Sequence, residues 1–126
     1  MDSFSGYIKG MRVKSGLSLR DVAMRLNVSA TYYTDVEKGR RHPMDIEKLM
    51  QFGSITGMTQ EEINRMLDLA GRARGTVAPD VAAYITENQC VGAALRIARD
   101  VQAECVDWER FAEMLTHKYK RTALEE

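Results

Sequence analysis

The chain has 126 residues, 44% hydrophobic and 29% charged, with a formal net charge of zero; this is the make-up of an ordinary globular protein, long enough for one domain or for a small domain with a helical appendage. No apolar run approaches the roughly 20 residues a membrane helix needs. The opening MDSFSGYIKG has neither the basic start nor the apolar stretch of a signal peptide, so the expected location is the cytoplasm.

The neutral total hides an asymmetry. Residues 1–43 hold eight lysines and arginines against four acids, a net +4, and the remainder balances it at −4. That division is expected of a nucleic-acid-contacting module joined to a module with another partner. Cys90 and Cys105 form no CxxC pair and have no histidine at metal-ligand spacing. They are expected as buried free thiols, with a disulfide between them as the alternative.

Apolar residues recur at three- and four-residue steps and no β-branched alternation is sustained, so the expected fold is all-α. A first helix is predicted from Ser5 to Lys14, with Phe4, Ile8 and Met11 on one face and Gly6 and Gly10 weakening it. Ser18 is an N-cap with Asp21 in the capping-box place, opening a second helix over Leu19–Leu26 whose inner stripe is Leu19, Val22, Ala23 and Leu26. Asn27 suits a left-handed turn, and Val28 plugs that turn. Ser29 caps a third helix over Ala30–Lys38, stopped by Gly39.

After the basic loop Arg40-Arg41-His42 and Pro43, a fourth helix is expected from about Asp45, with Gly53 as a possible early end. Thr59 and Glu62 form a second capping-box pattern, before a fifth helix. The stretch Gly71–Pro79 is small, basic and glycine-containing. The expected division is therefore a five-helix domain over residues 1–72, a linker over 73–79, and about three C-terminal helices over 80–126. Those helices are predicted near Asp80–Glu87, Val91–Val101 and Asp107–Lys120.

The informative stretch is Gly16–Pro43, two short helices joined by a tight turn. Ala23 is small where the helices cross, and Val28, Val36 and Tyr33 are expected to fill the angle. The second helix of such a pair can enter a major groove about 12 Å wide, leading with its N-terminal residues.

The residues Leu17-Ser18-Leu19-Arg20-Asp21-Val22-Ala23, Asn27-Val28-Ser29, Tyr33 through Arg41, and Pro43 resemble the Cro/C1-type helix-turn-helix, the xenobiotic-response-element family of phage and bacterial regulators. The likeness spans Phe4 to Ala70. It implies that Ala30, Thr31 and Asp35 fall where the family reads base edges, with Ser29, Tyr32 and Thr34 beside them. It places Lys38, Arg40 and Arg41 in a loop that contacts the DNA backbone, and pairs Arg12 with Glu37 between the first and third helices.

Chemistry gives these roles different reach. Lys38, Arg40 and Arg41 are phosphate contacts or a solvated charge run. Thr31 can bond a base edge and touch a thymine methyl, whereas Ala30 can only touch the methyl. Asp35 repels phosphate, so it either accepts from a cytosine amino group or, the favoured reading, orients Arg40 or Arg41. Tyr32 either bonds a phosphate or packs on the surface. Leu19 stands where many relatives carry a phosphate-binding Gln, and Ser18 and Arg20 are expected to substitute at the helix N-terminus.

Residues 76–126 carry no chemical motif. Trp108, Phe111, Leu115 and Tyr119 form a stripe expected mainly as core, or alternatively as a dimer or partner interface. The leading functional expectation is a transcriptional regulator, a repressor from a bacterium, phage or other mobile element, binding a palindromic operator in double-stranded DNA as a homodimer. The second is protein interaction, in which the C-terminal region inhibits a host defence nuclease in the manner of an anti-CRISPR protein, or neutralises a toxin as an antitoxin, with autoregulation by the helix-turn-helix. An enzyme is not expected: His42 and His117 are isolated, and no nucleophile elbow, phosphate loop or metal-ligand cluster occurs. No cofactor or metal is expected.

Overall fold

The computed structural model describes the backbone of residues 3–125 and the side chains of residues 3–120. Eight helices follow in order: α1 (Phe4–Lys14), α2 (Leu19–Leu26), α3 (Ala30–Glu37), α4 (Ile46–Ile55), α5 (Gln60–Arg74), α6 (Pro79–Glu87), α7 (Gln89–Asp100) and α8 (Cys105–Glu125). The described residues contain no strand. They fall into two compact units, residues 1–86 and 87–126.

In the first unit the helix starts are fixed by side-chain caps. Ser3, Ser18, Ser29, Asp45 and Thr59 each accept from a backbone N–H three residues on, which satisfies one of the donors a helix leaves open at its start. The cap on Ser3 begins α1 one residue earlier than the predicted Ser5. At the other end, Lys38 is the C-cap of α3 rather than its last residue. Asn27 takes the left-handed conformation, φ 58°, and turns α2 sharply towards α3.

The core joins five helices. α2 packs on α3 and α4, α1 on α3 and α5, and α4 on α5. Its centre is Ile8, Val22, Leu26, Tyr33, Val36, Leu49, Phe52 and Met66, all at or near zero exposure. The Tyr33 and Phe52 rings stack with centroids 6.3 Å apart. Lys48 of α4 donates to the Leu26 carbonyl, so a cation sits on the open C-terminal end of α2.

Two glycines mark close approach rather than breaks. α4 runs through Gly53 to Ile55, and a Cβ at Gly53 would stand 3.0 Å from the Ile63 side chain. At Gly71 a Cβ would lie 2.5 Å from the Ala78 nitrogen and the Val77 carbonyl carbon. The chain after α5 folds back onto Gly71, its turn held by Thr76 N–H donating to the Gly71 carbonyl at 2.8 Å, and Ala78 is buried. α5 extends to Arg74, α6 opens at Pro79, and the first unit continues to Thr86.

The second unit differs in kind. None of residues 87–120 is buried. Cys90 and Cys105 are free and exposed, not buried thiols. Trp108, Phe111 and Tyr119 are 40%, 48% and 57% exposed and Leu115 is half-buried, so the expected core stripe lies largely open. The Trp108 and Phe111 rings meet edge to face, 6.0 Å apart.

Candidate nucleic-acid interface

The Gly16–Pro43 segment builds a single outward surface on the first unit. α3 turns Tyr33, Val36 and Glu37 into the core. Ser29, Ala30 and Thr31 at its N-terminal end are exposed, Thr34 and Asp35 half-exposed, and Lys38, Arg40 and Arg41 exposed beyond its last turn. Of the predicted base-edge residues, Ala30 and Thr31 therefore share the N-terminal end of the helix and Asp35 lies in its last turn, while the predicted backbone contacts lie past its C-terminal end.

The inner face holds the helix rigidly. Arg12 of α1 grips Glu37 through both carboxylate oxygens, Nε–Oε2 at 2.9 Å and Nη2–Oε1 at 2.7 Å. The pair is nearly dry, with side-chain exposures of 12% and 4%. The third contact of Arg12, Nη1 to the Leu17 carbonyl at 3.0 Å, ties down the α1–α2 loop. The Glu37 hydrogen bonds raise the Arg12 pKa against the opposing effect of burial. Beside them the Tyr33 hydroxyl is buried and meets no partner at hydrogen-bonding geometry. Burial first, then the Glu37 carboxylate, pushes its pKa well up, so the phenol stays neutral.

Charge at the outer surface is arranged unevenly. Asp35 lies 3.6 Å from the Arg40 guanidinium, the contact expected if it orients that arginine. Arg41 lies over the Tyr32 ring at 5.1 Å, a cation–π geometry that fixes the ring beside the basic loop. At the start of α2, Ser18 N–H donates to the Asp21 carboxylate at 3.0 Å, and Asp21 N–H to the Ser18 hydroxyl oxygen at 3.1 Å. The Ser18 amide holds the Asp21 carboxyl below its usual range, so this helix start already carries an ionised carboxylate. That charge opposes the phosphate role expected of Ser18 and Arg20, both of which are exposed.

Arg74 was not visible as part of this surface. It donates to the Pro43 carbonyl and so anchors the basic loop to the end of α5, 31 residues away in sequence. No local pattern in the sequence signals such a contact.

Residues 3–79 match the family model of a helix-turn-helix domain. The chain belongs to the helix-turn-helix domain family. This helix-turn-helix protein is also similar to the HTH-type transcriptional regulator DdrOP3 of Deinococcus deserti, with 27% identity over 88 residues that cover 70% of this chain and 67% of that protein. No solved structure matches it. Among the described residues, no helix is long and apolar enough to cross a membrane, and no three His, Cys, Asp or Glu side chains group to hold a metal ion.

Proposed function

We propose that this helix-turn-helix protein is a Cro/C1-type transcriptional regulator of the cytoplasm, a repressor that binds a palindromic operator as a homodimer. The observation that carries the reading is the surface of α3. Small and hydroxyl side chains at Ala30, Thr31 and Thr34 leave its outer face open to approach base edges, and Lys38 and Arg41 add positive charge beyond its last turn. Ser29, Tyr32 and Arg40 complete the grip, Asp35 orients Arg40, and Ser18 and Arg20 supply at most a weak second phosphate contact. The likeness to a named transcriptional regulator points the same way. Catalysis has no part in this reading.

Selection from a random DNA pool, followed by binding titrations in a salt series, tests it. A recurrent palindrome is expected. Thr31→Ala should weaken binding to it by about 0.5–1.5 kcal/mol, one hydrogen bond, and relax preference at one base pair. Lys38→Ala should weaken binding to all duplexes alike and lower the salt slope by about one. An unenriched pool at low salt rejects DNA reading by α3.

A second reading draws on the open apolar stripe of the C-terminal unit, Trp108, Phe111, Leu115 and Tyr119. The same stripe that would pair two copies would equally take a protein partner such as a defence nuclease or a toxin. A stable heteromeric complex that survives Thr31→Ala would favour this alternative.

A further inference from the structure

A hollow of about 680 Å³ opens on the first unit between the N-terminus of α1, the outer side of α3, the basic loop and the last turn of α5. Its volume lies in the range of small-molecule sites, roughly 300–1,000 Å³. Three arginines line it, Arg40 and Arg41 from the loop and Arg74 from α5, and no acidic side chain among the described residues does. Arg40 shares its charge with Asp35 at 3.6 Å; Arg74 is fixed by its bond to the Pro43 carbonyl.

The opposite wall carries the Ser3 and Ser5 hydroxyls. Ser3 accepts from the Gly6 N–H at the start of α1, where the first-turn amides of a helix point outward. The floor is apolar, built from the buried Phe4 and Val36. An anion with several oxygens and a hydrophobic body is what such a lining complements, since guanidinium forks and helix amides both suit phosphate.

We propose that this hollow binds a small phosphate ester of mononucleotide size, and that the ligand competes with DNA for Arg40 and Arg41. The phosphate chemistry is shared with a DNA backbone, but two features favour a free molecule. The buried apolar side chains of Phe4 and Val36 in the lining would serve no purpose for a backbone phosphate riding on the surface. Arg74, Ser3 and Ser5 also come from α5 and the start of α1, outside the helix-turn-helix segment that carries Ala30 and Thr31. The competition, though not the binding, rests on the DNA-binding reading above.

Calorimetry of the full-length protein with AMP, adenosine and inorganic phosphate, without DNA, tests the site. AMP should bind saturably and adenosine should not. Arg74→Ala should weaken AMP binding by about tenfold or more. Because Arg74 also holds the loop, Ser5→Asp provides the control: an acid in the first turn favours the helix yet repels the anion, so the fold should melt no lower while AMP binding disappears. AMP should also raise the protein concentration needed to half-saturate a bound duplex. Binding of AMP by a protein that binds no duplex would sustain the hollow and sink the DNA reading instead. Failure of AMP and phosphate to bind the wild type would overturn the proposal. If duplex binding then still fell in Ser5→Asp, the phosphate held there would be the backbone's.

Discussion

At the residue scale, the most consequential pair is Arg12 and Glu37. Glu37 is the buried charged residue of the core, and a carboxylate there is tolerable only because a guanidinium meets it with two parallel hydrogen bonds. The arrangement positions rather than merely stabilises: Arg12 links α1, the α1–α2 loop and α3 at once through Glu37 and Leu17. Removing one partner strands the other charge. Arg12→Ala and Glu37→Ala should each lower stability by about 3–5 kcal/mol in denaturant unfolding. Arg12→Met/Glu37→Leu together should lose far less than the two single changes combined, since both charges leave. Arg12→Lys should recover only part of the loss, because an ammonium cannot reproduce the fork. Matched unfolding midpoints for wild type and Glu37→Ala would show the pair to be energetically idle.

At the element scale, the same residue type has opposite consequences in different helices. Gly10 lies inside α1 and a Cβ there would meet nothing within 4 Å, whereas a Cβ on Gly71 would strike the backbone of Val77 and Ala78 at 2.5 Å. Gly10→Ala should therefore raise stability by about 0.5–1 kcal/mol, the ordinary helix-propensity gain. Gly71→Ala should lower it despite the same gain, because backbone cannot yield as a side-chain tip does. A thermal shift of the same sign in both variants would refute the close-packing argument. These two glycines also show what was legible in the sequence. Caps at Ser18, Ser29 and Thr59, the left-handed Asn27 and the inward stripe of α2 are local signals, read within four or five residues, and the structure places all of them as read. Gly71 looked like a break because its reason lies in the returning chain at Ala78. The Arg74–Pro43 and Lys48–Leu26 contacts, 31 and 22 residues apart, left no trace for the same reason. Asp21 illustrates a subtler failure: the capping box was legible, but not that its carboxylate would occupy the helix start expected to hold phosphate.

At the scale of the whole molecule, the two units rest on different physics. Among the described residues, the first unit encloses a core of fifteen buried hydrophobic residues, while the 40 residues of the second unit bury none of their described side chains. Chains of about 40 residues seldom fold alone without a disulfide, a metal or a partner. Cys90 and Cys105 are free, so neither joins a disulfide here. Exposed Trp108, Phe111 and Met114 on α8 and Ile97 and Val101 on α7 and just after it offer the surface that a partner would cover. On the proposed reading, a second copy of the chain would be the occupant that also meets the requirement of a palindrome, two reading helices one helical turn apart. Sedimentation should then find the full chain as a dimer. Truncation after Thr86 keeps Ala78 and hence the core, and should give a folded monomer whose operator affinity falls by about 100-fold or more, since the second half-site loses its tether. Phe111→Ser in the full chain should move both quantities in the same direction, with unfolding of the first unit unchanged. A full-length monomer that binds the operator as tightly as the dimeric reading requires would leave the open stripe to a different protein.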